Sequence, residues 1–168
     1  DRSFFQDESL CPSCLFTPGH GYLQDDDTAY IFLSRRSANG TFLGNNIARL
    51  KKGITTWTLE DINRVTPPGD PTIDFGCAVL VEGNYVYAYG SKDSATIRLP
   101  YLARREFADT SAPWEYYAKT LWTTVVADAD PISRYNVAER YSVSKLQGRY
   151  YLISHDQALD TKIGRAHV

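Results

Sequence analysis

The chain has 168 residues, of which 43 % are hydrophobic, and these values allow one globular domain with a sizeable core. Its formal net charge of −2 argues against a nucleic-acid or anionic-membrane partner, and no apolar run approaches the roughly 20 residues of a membrane span. Twelve Tyr, seven Phe and three Trp favour β-structure and are also suited to sugar binding.

Two cysteines near the start of the chain, Cys11 and Cys14, have the spacing of a metal or redox motif. No second pair completes a zinc site, and the βαβ context of a thioredoxin-like motif is absent. We therefore predict a surface-loop pair or a small local disulfide. Cys77 falls within a strand pattern, which predicts a small buried core residue.

Three segments repeat one pattern of a strand, a polar tip and a second strand. The aromatic residues Tyr30, Tyr85 and Tyr150 mark the second strand and recur 55 and then 65 residues apart. The first strands are predicted at 22–24, 77–81 and 142–146, and the second strands at 29–34, 85–89 and 150–154. A repeat of this length built only of strands is typical of a β-propeller blade.

Two further strands complete each repeat. The third strand ends at Arg49 in the first repeat and at Arg104 in the second, and a fourth strand follows at Trp57 and Trp114. Residues 114–122 could be drawn as a helix, but the repeat assigns them to this fourth strand. The recurring arginines predict a structural role, such as a blade-to-blade hydrogen bond or salt bridge. The tryptophans, with Trp122, could stack sugars, but their place in the fourth strand favours packing of the outer blade.

The second strands are continuously apolar, which predicts that both of their faces are covered, as in stacked blades. Hairpin turns are predicted at 25–27, 82–83 and 147–148, and an interblade loop at 67–71. These features predict an all-β fold, a β-propeller fragment of two and a half to three four-stranded antiparallel blades. The blades lie near 15–66, 67–127 and 128–162, within a partial domain at 1–162.

The last six residues, 163–168, match the translation of a common sequencing-adapter stretch. We expect them to be read-through, so that the native sequence stops near Lys162. On this interpretation His167 carries no function.

Several segments together resemble the five-bladed propellers of the glycoside-hydrolase type, a superfamily that includes arabinanases, β-xylosidases, levansucrases and invertases. These segments are 76–90, 102–105, 111–122 and 141–154, and the likeness covers roughly residues 15–157. Within that superfamily they are most similar to an uncharacterised, secreted bacterial branch. The resemblance implies a five-bladed ring, a carbohydrate partner, an extracellular or periplasmic location, and a monomer when full length. It requires no cofactor, and a central calcium ion is an open alternative.

Enzymes of that superfamily resemble one another in placing carboxylates near the starts of their innermost strands. The corresponding positions here are Gly19, Asp74 and Glu139. Because glycoside hydrolysis needs two carboxyl groups, we predict that Asp74 and Glu139 form the catalytic pair. We predict that Glu139 is the general acid, with its pKa adjusted by Arg140 and by burial near the central axis of the propeller. Asp74 is then the base or the transition-state stabiliser.

Substrate contacts are predicted one position later, at His20, Phe75 and Arg140. His20 could bind a sugar hydroxyl or a central metal ion, or be a hydrogen-bonded structural histidine, and we assign no metal ligand. Asp74 could instead cap the preceding turn, and Glu139 could pair with Arg140 or Arg134. Two functions follow: a glycoside hydrolase acting on polysaccharide, or a non-catalytic propeller that binds glycan or protein.

Overall fold

A computed structural model describes residues 4–5, 11–65, 72–94, 97–156 and 161–166. These residues form three antiparallel sheets and one short 3-10 helix, and no α-helix occurs among them. The chain divides into two compact units, Asp1–Gly76 and Cys77–Val168. The predicted all-β class is confirmed, and the sheets are consistent with a propeller fragment. The loop predicted at 67–71 lies outside the described residues.

The first unit contains a four-stranded sheet whose strands follow one another in chain order. Its strands are β1 (Leu15–Leu23), β2 (Thr28–Arg36), β3 (Phe42–Lys52) and β4 (Trp57–Arg64). The predicted hairpin tip joins β1 to β2, and the Asp25 carboxylate accepts a hydrogen bond from the backbone N–H of Asp27 there. This meander matches the strand order predicted for a blade.

Both faces of β2 are covered near its centre, as its continuously apolar sequence predicts. Phe32 and Leu33 are adjacent in β2 and both are 0 % exposed, although they point to opposite faces. Leu33 belongs to a core cluster with the buried residues Cys14, Phe16, Ala48 and Ile62. On the other face, Phe32 lies close to Gly76.

The second unit contains a five-stranded sheet, one strand more than the repeat predicts. Its strands are β5 (Asp74–Glu82), which begins at the end of the first unit, β6 (Tyr85–Ser94), β7 (Ile97–Glu106), β8 (Glu115–Ala118) and β9 (Leu121–Thr123). The segment 114–122 is extended, as predicted, but it turns at Lys119, where φ is 58°. Trp122 therefore lies in an additional strand, and the 3-10 helix Val126–Asp128 follows it.

A third sheet also belongs to the second unit and consists of β10 (Ser142–Leu146), β11 (Arg149–Asp156) and β12 (Thr161–Ala166). The predicted turn at Gln147 and Gly148 has positive φ at both residues. Residues 163–166, interpreted from the sequence as read-through, pair with β11, and 167–168 lie outside the described residues. The read-through hypothesis stays a prediction.

The second and third sheets share one core. Ala78, Tyr89 and Leu102 from the second sheet pack with Val143 from the third, together with Tyr141 just before it. At the hairpin ends the Glu82 carboxylate accepts hydrogen bonds from the side chains of Lys145 and Tyr150. These contacts join the two sheets within the second unit.

Candidate functional site

Asp74 opens β5 and lies in a buried polar network. One of its carboxylate oxygens, Oδ2, accepts a hydrogen bond from the Ser34 hydroxyl at 2.5 Å and one from the Arg36 guanidinium at 3.0 Å. The Asp74 side chain is only 11 % exposed. Both donors stabilise a carboxylate in its charged form, so this geometry suits an ionised base, nucleophile or transition-state stabiliser.

The backbone on both sides of Asp74 is fixed by one buried side chain. The Asn45 amide nitrogen donates to the carbonyl of Ile73 at 2.7 Å, and its oxygen accepts from the N–H of Phe75 at 2.9 Å. Asn45 is 1 % exposed, so these bonds compensate its burial. Asp74 therefore has a rigid support of the kind that functional carboxylates need.

The strand register explains how this network assembles. Ser34 lies directly opposite Asn45 in the β2–β3 pairing, so the two side chains share one face of the sheet. A register shift follows Arg35, so Arg36 pairs with Phe42, and its guanidinium lies 5.8 Å from that ring. Sequence reasoning missed Ser34, Arg36 and Asn45 because it lacked this cross-strand register.

Glu139 has different surroundings, in a bend ahead of β10. Its side chain is 46 % exposed, so the expected burial is wrong. Its carboxylate lies 3.7 Å from the Arg98 guanidinium, which also binds Asp93 at 2.7 Å. The predicted alternative of an ion pair is thus present, but with Arg98 rather than with Arg140 or Arg134.

Arg98 connects Glu139 to Asp93 within the second unit. The Asp93 carboxylate is the main cause that raises the pKa of Arg98, and the charge of Glu139 contributes. The carbonyl of Glu139 accepts hydrogen bonds from the thiol of Cys77 at 3.1 Å and from the hydroxyl of Ser91 at 3.5 Å. The backbone of Glu139 is therefore positioned, while its carboxylate faces solvent.

The predicted substrate contacts differ in accessibility. His20 is exposed and lies in an irregularity of β1 between Pro18 and Gly21, and Arg140 is exposed beside Glu139. Phe75 is only 1 % exposed, so it offers almost no surface to a ligand in this structure. His20, Asp74 and Phe75 belong to the first unit, whereas Glu139 and Arg140 belong to the second.

The recurring arginines form salt bridges within their own sheets, so their structural role is confirmed, but these bonds are not the blade-to-blade contacts that the repeat predicts. Arg49 binds Glu60 at 3.2 Å and Asp61 at 2.8 Å. Arg104 binds Glu115 at 2.8 Å, and its guanidinium lies over two aromatic rings, at 4.4 Å from Tyr85 and 4.1 Å from Trp122.

The outer tryptophans are not equivalent in their surroundings. Trp114 is 8 % exposed and lies under the guanidinium of Arg105 at 4.9 Å, as expected for packing. Trp57 is 36 % exposed at the edge of the first sheet. Packing of the outer blade is therefore confirmed for Trp114 and only partial for Trp57.

The cysteines follow the simpler of the predicted interpretations. Cys11 and Cys14 form a local disulfide. Cys77 is a free thiol and is half-buried against the core of the second unit rather than fully buried. Within the described part of the chain, no three His, Cys, Asp or Glu side chains cluster as metal ligands would. In the same residues no helix has the length and apolar character to span a membrane.

Comparison with known proteins identifies a family without identifying an activity. No curated protein and no solved structure matches the chain. One family model does match, over residues 3–166, and therefore across all three sheets. Because this match covers nearly the whole sequence, the chain belongs to the family described as "Domain of unknown function (DUF5005)".

Proposed function

We propose that this chain is a carbohydrate-active domain, similar to glycoside-hydrolase propellers, that engages polysaccharide at Asp74. The observation that carries the proposal is the carboxylate of Asp74, which is bound by Ser34 and Arg36 at the start of a strand. A fixed, charged carboxylate can accept hydrogen bonds from sugar hydroxyls or stabilise positive charge at a sugar ring. The resemblance to glycoside-hydrolase propellers gives the same position a functional role.

Hydrolysis would require a second carboxyl group, and Glu139 is the candidate that the sequence predicts. A general acid holds its proton near neutral pH where burial or a nearby negative charge disfavours its ionised form. Glu139 instead lies exposed beside Arg98. This observation favours the second candidate function, a non-catalytic domain that binds glycan through the Asp74 site.

The proposed location is extracellular or periplasmic. Disulfides persist in oxidising compartments and are rare in reducing ones. The Cys11–Cys14 disulfide supports such a location for a domain that meets polysaccharide outside the cell.

The Asp74 site is tested by substitution in the whole protein. Asp74→Asn keeps the shape of the side chain but removes its charge, and Asp26→Asn in the exposed β1–β2 tip is the matched control. We expect Asp74→Asn to weaken binding to a panel of plant and microbial polysaccharides by about tenfold or more. Asp26→Asn should bind like the wild type, and equal binding by both variants would refute the Asp74 site.

A second pair of variants separates folding from function and catalysis from binding. Ser34→Ala leaves the Arg36–Asp74 ion pair in place, so it should fold and still bind polysaccharide more weakly. If the domain is a hydrolase, Glu139→Gln should reduce turnover by about 10²–10⁴-fold while binding persists. Absence of turnover in the wild type, with binding that depends on Asp74, would establish the non-catalytic function.

A further inference from the structure

The first sheet carries Ser34 and Asn45 on one face. Its other face holds two arginines with no acidic partner among the residues described. Arg35 lies opposite Gly44 in the β2–β3 pairing, and Arg64 lies opposite Asn46 in the β3–β4 pairing. Gly44 and Asn46 are two residues apart on β3, so all four positions share one face. Gly44 is itself buried and adds no side chain to this face.

Arg35 and Arg64 are both positively charged and repel each other. Burial is the main cause that lowers the pKa of Arg35, and the positive charge of Arg64 lowers it further. In the described residues, Arg35 donates one hydrogen bond, to the carbonyl of Leu43 at 2.9 Å, and neither arginine forms an ion pair. Two cations that approach each other without a carboxylate between them favour a bound anion.

The third member of the cluster is Asn46, which is 0 % exposed. Neither the oxygen nor the nitrogen of its side-chain amide has a hydrogen-bond partner in the described part of the chain. An unpaired buried amide is unfavourable, because its hydrogen bonds to water are lost without replacement. By contrast, its neighbour Asn45 on the other face makes two hydrogen bonds.

We propose that Arg35, Arg64 and Asn46 form a binding site for a carboxylate group. The planar guanidinium groups can each donate two hydrogen bonds to a carboxylate. The Asn46 amide nitrogen can donate a further one once the ligand displaces the atoms that bury it in this structure. This ligand would cancel the repulsion between the arginines and satisfy the buried amide. We assign the carboxylate to a uronic acid residue of an acidic polysaccharide, and this assignment rests on the proposed function.

The experiment measures the thermal unfolding midpoint of the protein with added sodium glucuronate, against glucose and sodium chloride at the same ionic strength. We expect glucuronate alone to raise the midpoint. In Arg64→Gln, which alters an exposed side chain, the apparent glucuronate affinity should fall by about tenfold or more. Arg149→Gln, also exposed, is the matched control in the third sheet and should respond like the wild type. Equal effects of glucuronate and glucose, or an unchanged response in Arg64→Gln, would overturn the site.

Asn46→Asp gives a second readout, because it places a carboxylate inside the site without changing side-chain size. The variant should unfold at a higher temperature than the wild type and should no longer respond to glucuronate. A midpoint that still rises with glucuronate in this variant would contradict the assignment of Asn46.

The two proposals fail separately. Glucuronate stabilisation that depends on Arg64, in a protein that binds no polysaccharide, would keep the carboxylate site and refute the proposed function. Binding of neutral polysaccharide that depends on Asp74, without any effect of glucuronate, would keep the proposed function and refute this site.

Discussion

Gly76 is a position where backbone conformation and packing both exclude a side chain. Its φ is +104°, and a Cβ added there would lie 2.5 Å from the Cβ of Phe32, which is 0 % exposed. Gly76→Ala should therefore destabilise the protein by about 2 kcal/mol or more, as measured by urea unfolding. Gly83→Ala is the control, since its φ is +55° and no atom lies within 4 Å of the added Cβ. A loss in Gly76→Ala no larger than in this control would contradict the packing argument.

At the scale of single residues, the sequence located one carboxylate of the candidate site but not its partners. Asp74 was identifiable because it precedes a predicted innermost strand. Ser34, Arg36 and Asn45 come from two other strands, and only the cross-strand register brings them to it. The exposure of the Glu139 side chain could not be predicted either, because aligning the repeats equates positions without showing how buried each one is.

Arg49 in β3 and Arg104 in β7 occupy equivalent positions of the repeat but have different surroundings, which allows a matched comparison. The side chain of Arg104 is 21 % exposed and lies over the rings of Tyr85 and Trp122, whereas that of Arg49 is 43 % exposed. A planar guanidinium stacks on rings and an ammonium does so less well. Arg104→Lys should therefore lower the free energy of unfolding by about 1–2 kcal/mol, and Arg49→Lys by about 0.5 kcal/mol or less. Equal losses measured by urea unfolding would show that stacking contributes nothing.

At the scale of strands, the repeat predicted order well and register less well. Tyr30 pairs with Arg49 in the first sheet, but the partner of Arg104 is Tyr87 rather than Tyr85. The connection between the second and third strands sets this pairing: β2 and β3 are joined by five residues and shift register after Arg35, whereas β6 and β7 pair without a shift. A gap-free alignment absorbs this difference by shifting the second strand by two residues, which preserves its faces and therefore its apolar pattern.

The same reasoning explains the additional strand β9. Lys119 adopts a positive φ without being glycine, and the segment 114–122 contains neither Gly nor Asn to mark a turn. The pattern could predict an extended segment there, but not the hairpin that divides it.

At the scale of the whole molecule, buried tyrosines should make stability sensitive to alkaline pH. Tyr141 is almost fully buried, and burial raises its pKa well above the ordinary value. Burial also raises the pKa of Tyr89, and the charge of Tyr150 once it ionises, with that of Glu82, raises it further. In the unfolded chain both phenols ionise near pH 10. Above about pH 10 the unfolded state therefore holds fewer protons than the folded state, and stability falls as pH rises.

Tyr141→Phe separates this effect from other alkaline effects. The Tyr141 hydroxyl donates to the carbonyl of Gly90 at 2.7 Å, so its removal should lower the free energy of unfolding near pH 7 by about 1–3 kcal/mol. Because one raised pKa is lost as well, this free energy should then fall less steeply above about pH 10 than in the wild type. Urea unfolding at a series of pH values measures both quantities. Parallel slopes in the two proteins would show that Tyr141 ionises no later in the folded state than in the unfolded chain.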